Sequence, residues 1–334
     1  MSWTVFRKTE TAGLIFICLA ILNWSGNFVA ARALADTADP ATINMLRWML
    51  ATFIFLPFGF RAFWAERNTI VKHWKELSFI ALTGVSLYDT IVFVAGQTAE
   101  ALNMSLISTL SPLLTSLVAQ FIFKEKFKPQ MYMGIALSTF GVMILITDGN
   151  FHRLQSMQFA QGDLLILCTA MMMSAAYNTT VSRIAGKLSQ IALIMATCLF
   201  GTAQLIPLYL FETGGQILLP ELTFSLVGWL LYLAIFASLL CYLFWNAAVQ
   251  ILGAPKAMLF YYTMPPVSGI VAWLVINEPM NTIQILCGLI ISAGILLALY
   301  RGSLRFPRIK IRHCKQVKEF TSRSTDSQSG RLNF

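Results

Sequence analysis

Two ionisable side chains stand inside apolar runs: Arg47 within residues 41–60 and Asp89 within 77–97. A charge at the middle of such a run costs about 2.5–3.5 kcal/mol on insertion scales, so each has reason to find a partner and is a functional candidate. Counting at 1.5 Å per residue from the outer ends of the two runs, the start of the first and the finish of the second, puts Arg47 roughly 9 Å and Asp89 roughly 12 Å deep. They are therefore expected to meet. Two chemistries are open to such a pair. It is static, or Asp89 takes up a proton or a solute's amine and releases Arg47.

Around that depth lie side chains suited to holding a small solute. Trp24 and Asn27 are three residues apart, on one helix face. Tyr242, Trp245 and Asn246 cluster in another run, and Tyr261 and Tyr262 precede Pro265. Aromatic faces away from helix ends can line a cavity for an amine-bearing or ring-bearing solute. The amides Asn23, Asn27, Gln97, Asn178, Gln204 and Asn246 serve either a pocket or interhelical hydrogen bonds. The candidate substrate-binding set is Trp24, Asn27, Arg47, Asp89, Asn178, Tyr242, Trp245 and Asn246.

Enzyme chemistry finds no motif. Gly186-Lys187 lacks the rest of a phosphate loop, and HExxH, GxSxG and GxGxxG are absent. His73, His152 and His313 fall in polar loops or the tail, and the six cysteines show no metal spacing, so no cofactor or metal is expected.

The elements that must position these residues are membrane helices. Of 334 residues 57% are apolar and only 12% charged, with mean hydropathy +0.68. A soluble domain carries about 25% charged residues. The chain reads as an all-α membrane protein with spans at 11–34, 41–60, 77–97, 102–123, 129–146, 163–184, 191–211, 226–249, 257–276 and 281–300. Arg7 and Lys8, an apolar run and Ala31-Arg32-Ala33 imitate a cleavable signal. Asn23, Trp24 and Asn27 inside that run, and its match to the sixth span, favour a retained helix.

The net charge of +9 follows from topology, not from nucleic acid. With both termini cytoplasmic, all but three of the 24 Lys and Arg fall inside. The three are Arg32 and Arg153 outside and Arg47 within a span.

The chain also contains itself twice. A shift of 153 puts Pro112 on Pro265, Glu125 on Glu278 and Gly141 on Gly294. Residues 1–150 and 151–300 are read as two five-helix repeats, and 301–334 as a basic cytoplasmic tail. An odd number of spans per repeat makes the repeats inverted, with the solute site between them near the midplane. Pro112 and Pro265 are expected to kink span interiors. Glu125 and Glu278 are expected near the N-terminus of the helix that follows each. Gly134, Ser138 and Gly141 in the fifth span, with Gly288 and Ser292 in the tenth, are read as small-residue faces for helix packing and not as sites. Asp163 reads as interfacial.

Trp24-Ser25-Gly26-Asn27-Phe28-Val29-Ala30, Leu46-Arg47-Trp48, Ala101-Leu102-Asn103-Met104-Ser105 and the pairs Pro112/Glu125 and Pro265/Glu278 resemble the EamA-type branch of the drug/metabolite transporter superfamily. The resemblance covers residues 10–300 and implies a ten-helix inverted-repeat carrier of a bacterial inner membrane, often exporting amino acids or related metabolites. Where relatives often have a neutral polar residue such as Asn, this chain has Asp89.

The expected function is a secondary transporter of small metabolites, an exporter of amino acids or related compounds by alternating access. A second carrier reading is uptake or exchange of a nucleoside-like metabolite such as S-adenosylmethionine. A membrane-embedded enzyme would need convergent nucleophile and base residues, and a scaffold would not need polar residues at matched depth. The expected partners are a small-molecule substrate and the lipid bilayer. Nucleic acid is not among them, and the sequence leaves the oligomeric state open, a monomer included.

Overall fold

The computed structural model describes residues 10–111, 113–114, 129–150, 160–172, 176–184, 186–217, 219–253, 257 and 260–299. Pro112, Glu125, His152, Arg153 and the tail 301–334 lie outside them, as do residues 115–123 at the end of the fourth sequence-predicted span.

Among the described residues the chain is built of helices: α1 (Glu10–Ala33), α2 (Pro40–Ala65), α3 (Arg67–Lys72), α4 (Trp74–Ala81), α5 (Leu87–Gly96), α6 (Ala101–Ser108), α7 (Pro129–Ile146), α8 (Gln161–Met172), α9 (Asn178–Ile184), α10 (Gln190–Glu212), α11 (Phe224–Leu231), α12 (Cys241–Leu252), α13 (Met264–Ile276) and α14 (Thr282–Leu299). Two π-helical segments, Leu82–Ser86 and Tyr232–Leu240, join α4 to α5 and α11 to α12. Among the described residues six runs are long and apolar enough to cross a membrane: Glu10–Ala33, Pro40–Ala65, Trp74–Gly96, Pro129–Ile146, Gln190–Glu212 and Phe224–Leu252. Gln161–Met172, Met264–Ile276 and Thr282–Ala298 are shorter apolar helices.

The apolar residues face both ways. Phe53, Phe58, Trp273 and Leu289 are exposed, while Ile17, Phe93, Met104 and Ile107 are buried. In lipid an outward apolar face carries no penalty, so packing is driven by close fit and polar contacts between helices. The closest fit is α7 on α14. A Cβ on Gly134 would strike the Gly294 carbonyl, and Ser138 Oγ donates to Ile291 O at 3.1 Å. The partner residues on α14 are Ile291, Gly294 and Ala298, one face by helical spacing, whereas Ser292, read as part of a packing face, is exposed. Gly288, read as part of a packing face, lies beside Leu106 of α6.

Helix N-termini carry unsatisfied N–H groups, and carboxylates from distant segments cover several of them. Glu212 accepts from Ala41 N (2.9 Å) and Thr42 N (3.3 Å), and Glu66 from Ser189 N (2.9 Å). Glu278 caps α6 through Ala101 N at 2.9 Å and not the following helix as the sequence suggested. The chain turns at left-handed Asn277 after α13, and this swings Glu278 across to α6 and to Arg32, 3.5 Å away. Pro265 likewise is no mid-span kink. It lies in the first turn of α13, just after a turn at Tyr262–Thr263, where its missing N–H costs nothing.

Candidate functional site

Arg47 and Asp89 meet in the interior. Arg47 projects from α2 and Asp89 from the first turn of α5, 3% and 4% exposed, with Nη1 3.2 Å from Oδ1. Arg47 Nε donates to Ser238 Oγ at 2.8 Å, and Trp48 Nε1 donates to Asp89 Oδ2 at 2.9 Å. The guanidinium lies 5.3 Å from the Trp48 ring centre. Asp89 thus has both oxygens engaged. Arg47 Nη1 is close to Asp89 but not aligned for a hydrogen bond, so it keeps donor capacity.

The π segments explain how this constellation is built. A π-helical stretch widens the helix and upsets its regular ladder, and such stretches recur at functional sites. Asp89 lies three residues after the first π segment, and Ser238 lies inside the second. The loosened backbone is held from the side. Asn44 Nδ2 reaches Thr90 Oγ1 (2.9 Å) and Val85 O (3.2 Å), and Ser86 Oγ donates to Gln204 Oε1 (3.0 Å). Gln204 also donates to Ser78 O at 2.9 Å, so that amide ties helices together.

A group of rings lies alongside. Trp24 packs on Trp245 (5.2 Å between centres), Tyr242 (5.8 Å) and Tyr261 (6.1 Å), and Trp245 on Tyr261 (5.9 Å). Tyr242 and Trp245 are three apart on α12, so one face supplies both. Cys241 donates to Ala237 O at 2.7 Å and lies within the field of Arg47 and Asp89. Tyr177 and Tyr242 are close enough to interact electrostatically, and Tyr232 donates to Asn23 O at 3.0 Å. Tyr232 approaches α1 this closely because residue 26 is glycine: a Cβ there would overlap its hydroxyl.

Of the sequence-predicted residues, the structure brings together Arg47 with Asp89, and Trp24 with Tyr242 and Trp245. Asn27 is buried on the Trp24 face of α1, and its Oδ1 has no hydrogen-bond partner. The Tyr262 hydroxyl is in the same condition. Asn246 does not join the rings. It follows Trp245, so it points about 100° away, and its amide donates to Gln190 Oε1 at 3.1 Å. Asn178 starts α9, and its side chain lies outside the described residues. Sequence reasoning missed Trp48, Ser238, Tyr177 and Tyr232. Trp48 adjoins Arg47 and could have been found by proximity; the serine and tyrosines stand in apolar runs with no distinguishing signal.

Asp163, read as lying at the outer end of its span, is buried against neighbouring protein. It is 2% exposed in the first turn of α8, where Asn103 Nδ2 donates to its Oδ2 at 3.3 Å.

Similar proteins bear on what the helices do. The EamA-like transporter family profile matches this chain twice, over residues 11–147 and 161–300. The uncharacterized transporter YyaM of Bacillus subtilis (strain 168) is 26% identical over 270 residues, 81% of this chain and 87% of that one. An uncharacterized transporter of Archaeoglobus fulgidus is 26% identical over 287 residues, 85% of this chain and 96% of that one. A protein of Streptantibioticus cattleyicolor named "Probable terminal-alkyne amino-acid exporter" is 22% identical over 289 residues, 84% and 91% of the two chains. One solved crystal structure superposes with a TM-score of 0.57 at 16% identity, covering 87% of this chain and 97% of that one, a likeness of fold alone. These relatives carry the names of transporters and not of enzymes. With the family profile spanning nearly all of its apolar length, the protein belongs to the EamA-like transporter family.

Proposed function

We propose that this transporter is an inner-membrane exporter of amino acids or closely related amine-bearing compounds, working by alternating access, with Trp24, Asn27, Arg47, Asp89, Tyr242 and Trp245 around its solute. The observation that carries the proposal is the buried Arg47–Asp89 pair beside the Trp24 ring group. An amino acid presents a carboxylate and an ammonium. Arg47 offers spare donor capacity to the first, and Asp89 offers a carboxylate to the second. The rings offer faces to an ammonium or an apolar side chain. The exporter name of the Streptantibioticus cattleyicolor relative points the same way.

The architecture that goes with this reading has ten spans in two inverted five-helix repeats, residues 1–150 and 151–300, with the termini and the tail 301–334 cytoplasmic. Three observations support it. The family profile matches once in each half. Shifting the first π segment, 82–86, by 153 residues lands it inside the second, Tyr232–Leu240. Ser138 bonds Ile291, the residue 153 further on, as repeat mates at a two-fold axis would. The site draws on both halves, since Ser238, Tyr242 and Trp245 come from the second and Trp24, Arg47 and Asp89 from the first.

The experiment is a thermal-shift screen of the purified chain against amino acids and nucleosides, because a ligand that binds only the native state raises its melting point. One or more amino acids should stabilise the parent. Trp24→Ala should fold and lose that response, and proteoliposomes of the parent should move the same compound. Stabilisation by nucleosides alone, or an undiminished response in Trp24→Ala, would overturn the proposal.

A further inference from the structure

A second polar chamber lies away from the Arg47–Asp89 site, where the α5–α6 and α13–α14 connections meet the start of α8. Its volume is about 180 Å³, room for several waters at about 30 Å³ each. The lining includes three carboxylates, Glu100, Asp148 and Asp163, and among the described lining residues there is no Lys or Arg. The nearby cation, Arg32, is turned to Glu278 and to Gly96 O, 3.1 Å away.

The polar side chains are held in fixed positions by one another. Gln284 Nε2 donates to Glu100 Oε2 and to Asn103 Oδ1 (2.9 Å), and Asn103 Nδ2 donates to Asp163 Oδ2 (3.3 Å). Gln284 is itself tied to Asn281 by two bonds, its Oε1 accepting from Asn281 N (2.9 Å) and its N donating to Asn281 Oδ1 (2.8 Å). The chain of bonds ends at Asp163, whose other oxygen, Oδ1, is buried without a hydrogen-bond partner. A buried carboxylate oxygen without a partner is costly. A position in the first turn of α8 offsets part of that cost through the helix dipole, but it leaves Oδ1 without a donor.

We propose that this chamber binds a monovalent hard cation at Asp163 Oδ1, with Thr98 Oγ, nearby carbonyls and water completing its shell. The class follows from the donors. The lining offers oxygen and neither imidazole nor thiolate, which selects hard cations. Divalent ions generally recruit several carboxylates to one point, and among the described residues no three His, Cys, Asp or Glu side chains converge so. Asp163 presents an oxygen without a hydrogen-bond partner while Glu100 is engaged by Gln284, so a single positive charge is met by one carboxylate. The Glu100–Gln284 and Asp163–Asn103 bonds make the site depend on α6, α8 and α14 being in their present arrangement, so the ion would favour this conformation over others.

The test uses the full chain in detergent, replacing choline chloride by sodium chloride at constant ionic strength. The melting point should rise saturably with sodium, and potassium giving the same rise would also support the class. In Asp163→Asn the apparent affinity should fall by more than about tenfold. Should Asp163→Asn fail to fold, Glu100→Gln, which weakens the field and the Gln284 anchor, should lower the affinity, and radiosodium binding to the parent gives a readout independent of melting. The proposal is overturned if sodium and choline give the same melting curve. It is also overturned if magnesium stabilises more than sodium, or if the sodium response is undiminished in the substituted chains. Stabilisation by acid with no dependence on sodium would show Asp163 to be a neutral acid and would likewise overturn it.

Discussion

Replacing Asp89 by Asn and Arg47 by Gln, singly and together, tests whether the buried pair is held or worked. At 3.2 Å the attraction is about 5 kcal/mol with an effective dielectric near 20. Desolvation of both charges offsets much of it, so the pair adds little net stability. Each single change is different, because it leaves a charge in a buried site: the cost is then about 3–5 kcal/mol. Arg47→Gln also removes the Nε bond to Ser238, whereas Asp89→Asn keeps an oxygen for Trp48 to donate to. Both single variants should therefore melt well below the parent, with Arg47→Gln the lower. The double variant should recover most of the loss, since two neutral amides can bond each other. Transport in proteoliposomes then separates the roles. A static pair predicts that the double variant transports. A pair that engages the solute predicts that it folds and does not transport, or loses its pH dependence. Two single variants as stable and active as the parent would refute the pairing argument itself.

Gly26→Ala should destabilise by about 1–3 kcal/mol, because its methyl would overlap the Tyr232 hydroxyl; thermal unfolding measures this, and Gly26→Ala with Tyr232→Phe should recover part of it. Glu278 gives a pH dependence. Burial raises its carboxyl above the usual 4.5, with Glu100 adding to the rise and Ala101 N–H and Arg32 opposing it. The native state then holds this proton more tightly than the unfolded one, so stability falls as pH rises from about 4.5 through the native value. Glu278→Gln should flatten that part of the melting-point profile, and an unchanged profile would place the titration elsewhere. For topology, a single cysteine at Asp36 should react with an impermeant reagent from outside, while one at Lys315 should not; labelling at Lys315 would reverse the orientation.

Much of the arrangement was readable because lipid imposes simple rules. A charge in an apolar run is expensive, so Arg47 and Asp89 announce themselves, and depth along a helix follows from counting. Helical phase was readable too, since Trp24 with Asn27, and Tyr242 with Trp245, share faces at a spacing of three. Asn246 shows the limit of reading by neighbourhood. It sits next to Trp245 in sequence, yet the helix turns it away toward Gln190. Glu278 shows another: its distance along the chain from Thr282 is short, but the left-handed turn at Asn277 delivers it to Ala101.

The sequence by itself determined the membrane class, the family, and which charged residues needed partners, because each of these depends on composition or on local spacing. Only the tertiary structure decided which neutral side chains complete the site. Ser238 reaches Arg47 from 191 residues away, and Tyr232 reaches Asn23 from 209. Such contacts depend on how helices rotate and approach, and that is settled by small differences in packing between apolar faces that look alike in sequence. The π segments and the burial of Asp163 belong to the same category. A serine or a carboxylate at a given depth can face lipid, a neighbour or a cavity, and the choice is made by the helices around it.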